Sequence, residues 1–297
     1  MMKDTFSNMH PFINFIFFAL TIGFTMFIMN PVCLAVSFLC ALVTALYLNG
    51  KKAVRLSLVF LLPMILLIVL VNPVFNHEGM TILTYFPWDN PLTLESIIYG
   101  IASAFLLSST VLWFSSFNAV ITSDKVVFLF GRIMPSLSLV ISMALRFVPR
   151  FSAQMKLVRN AQHTIGRDID EGSLFQRIRN AVKILSIMIT WSLENAIETA
   201  DSMKSRGHGL KGRTSYSLYK FDKRDAFMLY TILFTGLVLM ILLFTNAIKF
   251  RYYPSIKGDL ITVQSVIFYI FYTFLMLIPL SVNIGEGIKW KHMQSKI

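Results

Sequence analysis

Few residues in this 297-residue chain are placed to do chemistry. The five histidines, His10, His77, His163, His208 and His292, are scattered too widely for a metal-ligand spacing. Cys33 and Cys40, the only cysteines, share one apolar segment. Seven residues of helix hold them about 10 Å apart, too far to bridge. No run of the form G-x-x-x-x-G-K-[ST] is present to cradle a nucleotide, so the chain is not expected to hydrolyse ATP. H-E-x-x-H is absent, no Ser, Cys or Thr sits in a nucleophile elbow, and no cofactor is expected. Glu78, Asp89, Glu95 and His77 fall in one polar stretch, but they do not pair convincingly as acid and base.

The elements that would position any site are mostly lipid-embedded. Hydrophobic residues make up 56% of the chain and charged ones 14%, with a mean hydropathy of +0.66. Soluble domains carry about 25% charged residues, so the expected class is an all-α integral membrane protein. Residues 11–50 are long enough for two helices, and Asn30-Pro31 divides them into a tight hairpin. Single spans are expected over 56–72, 97–115, 226–248 and 261–282, six in all. The first has an apolar region longer than a secretory signal usually has and no small-residue cleavage signal, so it reads as an uncleaved helix. These spans hold no Asp, Glu, Lys, Arg or His. Coupled carriers keep such costly residues at membrane depth only for function. Their absence argues against a self-sufficient secondary transporter and against acid–base or metal chemistry in the bilayer.

The net charge of +12 would suggest nucleic acid in a soluble protein. Here it marks the cytoplasmic side, and no nucleic-acid partner is expected. The short 49–55 turn holds Lys51, Lys52 and Arg55, whereas the 73–96 loop holds no Lys or Arg. Both termini are therefore expected inside. The domain organisation follows: 1–115 with four spans, 116–225 as a cytoplasmic region, and 226–297 with two spans. Apolar runs at 133–145 and 184–193 could add a hairpin, but that would put six cations of 149–180 outside. Long helices continuing into the cytoplasm are the preferred reading.

The first such helix is expected over 136–162, begun by Pro135, whose missing N–H costs nothing in the first turn. A seam of Leu137, Ile141, Ala144, Val148, Phe151, Met155 and Val158 should face another helix. Pro149 removes one backbone bond within it and should kink the rod. A second seam runs Ile178, Val182, Leu185, Ile189, Leu193, Ala196, Ala200 and Met203. Glu194, Glu198 and Asp201 precede Lys204 and Arg206 on its other face, an order that suits the helix dipole. Gly207 follows where helices commonly stop. Two packed helices, joined by residues 163–172, are too narrow to enclose a catalytic core.

Particular strings resemble a known family. Ala144-Leu145-Arg146-Phe147-Val148-Pro149, then Ala161-Gln162, then Met203-Lys204-Ser205-Arg206-Gly207 match the order and spacing of the transmembrane coupling (T) component of energy-coupling factor (ECF) transporters, the EcfT/CbiQ-like proteins. Softer agreement covers Val71-Asn72-Pro73 and residues 93–100. The resemblance implies a multi-pass protein of a prokaryotic plasma membrane. It also implies two ABC-type ATPases as partners and a separate substrate-binding membrane subunit (the S component), in an importer of vitamins or metal ions. In that family two coupling helices end in short motifs, usually Ala-Arg-Gly, that dock on the ATPases. The resemblance therefore assigns docking to Ser205, Arg206 and Gly207. At the first motif the chain departs from the pattern: Thr164-Ile165-Gly166 has isoleucine where arginine is expected, and either Arg167, beside Gly166, or Arg159 replaces it. The competing reading is a stand-alone carrier or channel for a neutral solute.

Overall fold

A computed structural model describes residues 5–85, 90–131, 134–170, 172–210 and 219–294. Asp89 lies outside the described residues. The chain divides into two compact units, one formed by Met1–Lys125 with Tyr219–Ile297, the other by Val126–Leu218.

In the first unit, α1 (Pro11–Phe27) and α2 (Pro31–Asn49) form the expected hairpin. Pro31 begins α2 without losing a bond, and the Asn30 side chain accepts from Val32 N at 3.0 Å. The chain then runs through α3 (Lys51–Leu56), a π-helical turn (Ser57–Leu61) and α4 (Leu62–Phe75), followed by α5 (Leu94–Val120). Thr93 caps α5 by accepting from Ser96 N. The unit closes with α9 (Lys223–Phe244) and α10 (Val263–Gln294). Asp222 and Asp225 form a capping box at the start of α9.

Helix α5 is the centre of this unit and packs on α1, α2 and α4. Its Trp113 is fully buried and meets Phe17 and Phe18 edge to face. The indole N–H donates to Ser37 Oγ at 3.1 Å, and Ser37 also shares a hydrogen bond with Thr25. Polar groups at this depth must find partners inside the protein, and this chain supplies them from hydroxyls. At the α4–α5 contact, a Cβ added to Gly100 would lie 3.1 Å from Asn72 Cβ. The motif residues of 71–73 and 93–100 therefore meet across two helices.

Two short hairpins stand beside the helix ends: β1 (Ile82–Tyr85) with β2 (Pro91–Thr93), and β3 (Phe250–Arg251) with β4 (Lys257–Gly258). Glu95 is buried in the first turn of α5 and accepts from the backbone and hydroxyl of Thr81. Thr93 Oγ1 donates to Glu78 O at 2.8 Å, and Met80 N donates to Pro254 O. Asn76 Nδ2 donates to Tyr253 Oη, tying this loop to the β3–β4 hairpin. Glu78 and Glu95 thus hold loops together.

Among the described residues six helices are long and apolar enough to cross a membrane, in line with the expected all-α membrane architecture; Ser136–Thr164 is one of them by length and composition, and α1, with 17 residues, is a shorter apolar helix. The helices also outrun the charge-free stretches, so Glu95, Arg55 and Asp225 lie within helical turns. Lys and Glu stems extend helices as readily as apolar residues do. Charge therefore ends the hydrophobic stretch without ending the helix.

The second unit contains the end of α6 (Ser123–Gly131), then α7 (Pro135–Thr164) and α8 (Leu174–Ser205). Helix α7 begins at Pro135 and runs unbroken through Pro149. Helix α8 is opened by a capping box of Ser173 and Gln176.

Candidate functional site

The candidate site is built from the ends of α7 and α8. Both helices stop in the same way. At α7, Gly166 (φ +68°) donates to His163 O at 2.9 Å and Arg167 N donates to Gln162 O at 2.9 Å. At α8, Gly207 (φ +78°) donates to Lys204 O at 2.9 Å and His208 N to Met203 O at 2.9 Å. This pair of bonds, closed by a left-handed glycine, is the Schellman motif. It aligns Thr164-Ile165-Gly166-Arg167 with Ser205-Arg206-Gly207-His208, residue for residue.

The alignment decides what occupies each place. Arg206 is the half-helical residue before the glycine at α8, and Ile165 holds that place at α7. Arg167 instead matches His208, two residues further on. Ser205, Arg206, Arg167 and Gly166 are all exposed. Arg159 is committed elsewhere: its Nε donates to Asp168 Oδ1 at 3.1 Å, and its guanidinium also pairs with Asp170. Of the two replacements open at the first motif, only Arg167 stands at the helix end.

A short linker fixes the end of α7 against the start of α8. Asp168 is 5% exposed. Its backbone carbonyl accepts from Asn180 Nδ2 at 3.0 Å, and Arg177 donates to Asp170 O at 2.6 Å. The Arg159 guanidinium holds the Asp168 carboxyl below the usual carboxylate range, aided by the Ile169 N–H. Helix α8, with 32 residues, then carries Arg206 about 48 Å from that linker. The two matched caps are thus held at opposite ends of α8.

The packing of α7 on α8 departs from the sequence reading. The buried positions on α8 are Ile184, Met188 and Asn195, with Trp191 half-buried between them. Trp191 meets Phe151 edge to face at 5.3 Å, and Arg150 lies over its ring at 5.7 Å. Of the expected α7 seam Phe151 meets α8 through Trp191, whereas Val148 is 65% exposed. The expected α8 seam is turned outward: Ile178, Val182, Leu185, Ile189 and Leu193 are each more than half exposed. Helix α8 is apolar on two faces, and periodicity cannot say which of two apolar faces meets its neighbour. Trp191 settles it, because its ring fills more of the contact than any aliphatic. Among the described residues no group of three or more His, Cys, Asp or Glu side chains could hold a metal ion.

Residues 3–216 match the family model CbiQ, described as "Cobalt transport protein". The chain belongs to the CbiQ family. Among curated CbiQ-like relatives it is similar to the "Energy-coupling factor transporter transmembrane protein EcfT" of Lactobacillus helveticus, 41% identical over 106 residues, or 35% of this chain and 38% of that protein. The Streptococcus thermophilus EcfT is 33% identical over 138 residues, covering 46% of this chain and 52% of the relative. The Exiguobacterium sibiricum EcfT is 26% identical over 208 residues, covering 65% and 78%. The chain thus matches about half the length, or less, of the first two relatives. The CbiQ family is one of membrane transport components, and with its apolar helices the chain is a multi-pass protein of the prokaryotic plasma membrane.

Sequence reasoning passed over Asp168, Trp191 and Asn180. A lone acid two residues past a helix-ending glycine, with an arginine nine residues before it, is the signal that could have found Asp168.

Proposed function

We propose that this chain is the transmembrane energy-coupling subunit of an ECF-type importer. In this reading, ATP-driven motion of two cytoplasmic ABC-type ATPases passes through α7 and α8 to a separate substrate-binding membrane subunit. The observation that carries it is the pair of matched Schellman ends on two long helices, one at each end of α8. A pair of ATPases needs two contacts of one shape, well separated, and the caps meet that need.

Each cap presents a cation on a rigid base. At α8, Arg206 docks, with Ser205 and Gly207 shaping the turn. At α7, Gly166 shapes the turn and Arg167 supplies the charge. A guanidinium makes paired bonds to carboxylates and stays charged when desolvated, so the contact bears load without slipping. Closure of the ATPases on ATP moves the two caps. The Arg159–Asp168 linkage stops the α7–α8 corner from yielding, and the helices turn as levers. In this reading the backbone bond missing at Pro149 lets α7 bend there, directing it between the membrane and the ATPase.

The outward stripe of Ile178, Val182, Leu185, Ile189, Leu193 and Ile197 offers the substrate-binding subunit a surface without directional bonds. Such a face supports sliding better than hydrogen bonds would. The chain performs no catalytic step, holds no cofactor, and leaves specificity for a vitamin or metal ion to its partner. The β-hairpins face outward, and both termini and the α7–α8 unit lie in the cytoplasm.

The test is Arg206→Ala in a complex reconstituted with its ATPases and substrate-binding subunit. Loss of ATPase association and uptake is the expected result. Unchanged association and uptake would remove Arg206 from the mechanism.

A further inference from the structure

The chain passes between its two units twice, after Lys125 and before Tyr219. On the first unit's side, both crossings end on one short stretch, residues 5–10. At the first crossing, Lys125 lies in the first turn of α6 and is 5% exposed. Its ammonium donates to Val120 O at 2.8 Å, one of the carbonyls that the end of α5 leaves without a helical partner. It also donates to the Ser7 carbonyl. Hydrogen bonds from a charged donor are roughly twice as strong as neutral ones. At the second crossing, the Phe221 ring meets the His10 ring edge to face at 5.3 Å. Burial, and then the nearby Asp124 carboxylate, push the Tyr219 hydroxyl up. The returning chain therefore comes back beside the start of α6.

Residues 5–10 are in turn built into the membrane-spanning helices. Phe6 is fully buried, and its N–H donates to Asn283 Oδ1 of α10 at 2.9 Å. Its ring meets Phe17 and Phe18 of α1 edge to face, and those two rings pack on Trp113 of α5. Capping α5 would need only the bond to Val120. The Ser7 and His10 contacts do more, because they bring two crossings about 95 residues apart onto one anchored stretch. A loose crossing absorbs an imposed motion by bending. One fixed to close-packed buried rings transmits it, since such interiors hardly compress.

We propose that residues 5–10 are a clamp that grips both crossings, and that Lys125 is the positioning residue through which motion of α7 and α8 enters the membrane-spanning helices. The clamp rests on the coupling function proposed above. Lys125 acts through Ser7 and Val120.

The test uses the full chain in complex with its ATPases and substrate-binding subunit, in nanodiscs, without nucleotide and with Mg-ATP plus vanadate. Hydrogen exchange is read by mass spectrometry, and co-elution with the partners checks that each variant folds. In wild type the nucleotide is expected to change exchange in α7 and α8 and also in residues 5–17. Lys125→Met keeps the change in α7 and α8 and loses it in 5–17. Phe221→Ala, at a half-exposed position that tolerates truncation, weakens the change in 5–17. Asn76→Ala, which cuts the tie to Tyr253 away from the clamp, leaves both changes intact. A change of wild-type size in 5–17 in either clamp variant would overturn the clamp and leave the coupling function standing. An equal loss in Asn76→Ala would also overturn it, as general loosening of the unit. No nucleotide-dependent change in α7 and α8 of wild type would overturn the coupling function and the clamp with it.

Discussion

Ile165 and Arg206 occupy the same place, the half-helical residue before a left-handed glycine, at the ends of the two long helices α7 and α8. The backbone is matched and the side chain is not. One cap presents its cation before the glycine, and the other presents Arg167 after it.

This asymmetry predicts unequal contacts. Losing one partner of a desolvated charge pair costs about 2–5 kcal/mol, so Arg206→Ala should weaken ATPase binding by well over tenfold. Arg167→Ala should cost less, because its place in the motif is further from the helix end. Ile165→Arg should strengthen the weaker contact. Titration of purified ATPase against the three variants in nanodiscs measures all of these.

The caps themselves are testable. Gly207 holds φ +78°, and a left-handed backbone costs an L-residue about 1–2 kcal/mol. Gly207→Ala should fray the last turn of α8 and weaken ATPase binding, with Gly207→Asn milder than Ala. Hydrogen exchange across 200–207 should rise in Gly207→Ala and stay near wild type in Gly207→Asn.

The linker gives a pH dependence. In the folded chain the Asp168 carboxyl ionises at lower pH than when unfolded, because Arg159 donates to it. The linkage therefore contributes fully above the ordinary aspartate range and is lost as the pH falls through the lower folded value. Exchange of the 165–173 linker should accelerate only under strongly acidic conditions. Asp168→Asn should show the fast exchange at neutral pH and lose the acid step.

How much of this was legible beforehand differs by element. The α1–α2 hairpin was readable from Asn30-Pro31, since a capping side chain before a helix-starting proline is a local signal. The end of α8 was readable from Gly207 for the same reason. The contact face of α8 was not readable, because Ile184 and Met188 compete with an equally periodic stripe through Ile178 and Leu185. That choice depends on Phe151 and Trp191, which are 40 residues apart in the chain. The equivalence of Ile165 and Arg206 was legible through the family resemblance, which already set isoleucine where arginine is expected; the matched glycine caps that put the two on one backbone pattern were not.

The α4–α5 contact gives a stability prediction. Gly100 leaves no room for a branched side chain beside Asn72, with a Cβ already at 3.1 Å. Gly100→Val should destabilise the first unit by about 1–3 kcal/mol through overpacking. Gly100→Ala should be mild. Thermal unfolding in detergent ranks the two.

Site-specific photo-crosslinking in native membranes tests docking at the helix ends most directly. A benzoylphenylalanine placed at Ser205, at Arg167 or at Ile197 reports what touches each position. Adducts with an ABC-type ATPase at positions 205 and 167, and none at 197, are the predicted result. ATPase adducts at 197 with none at either cap would contradict the account.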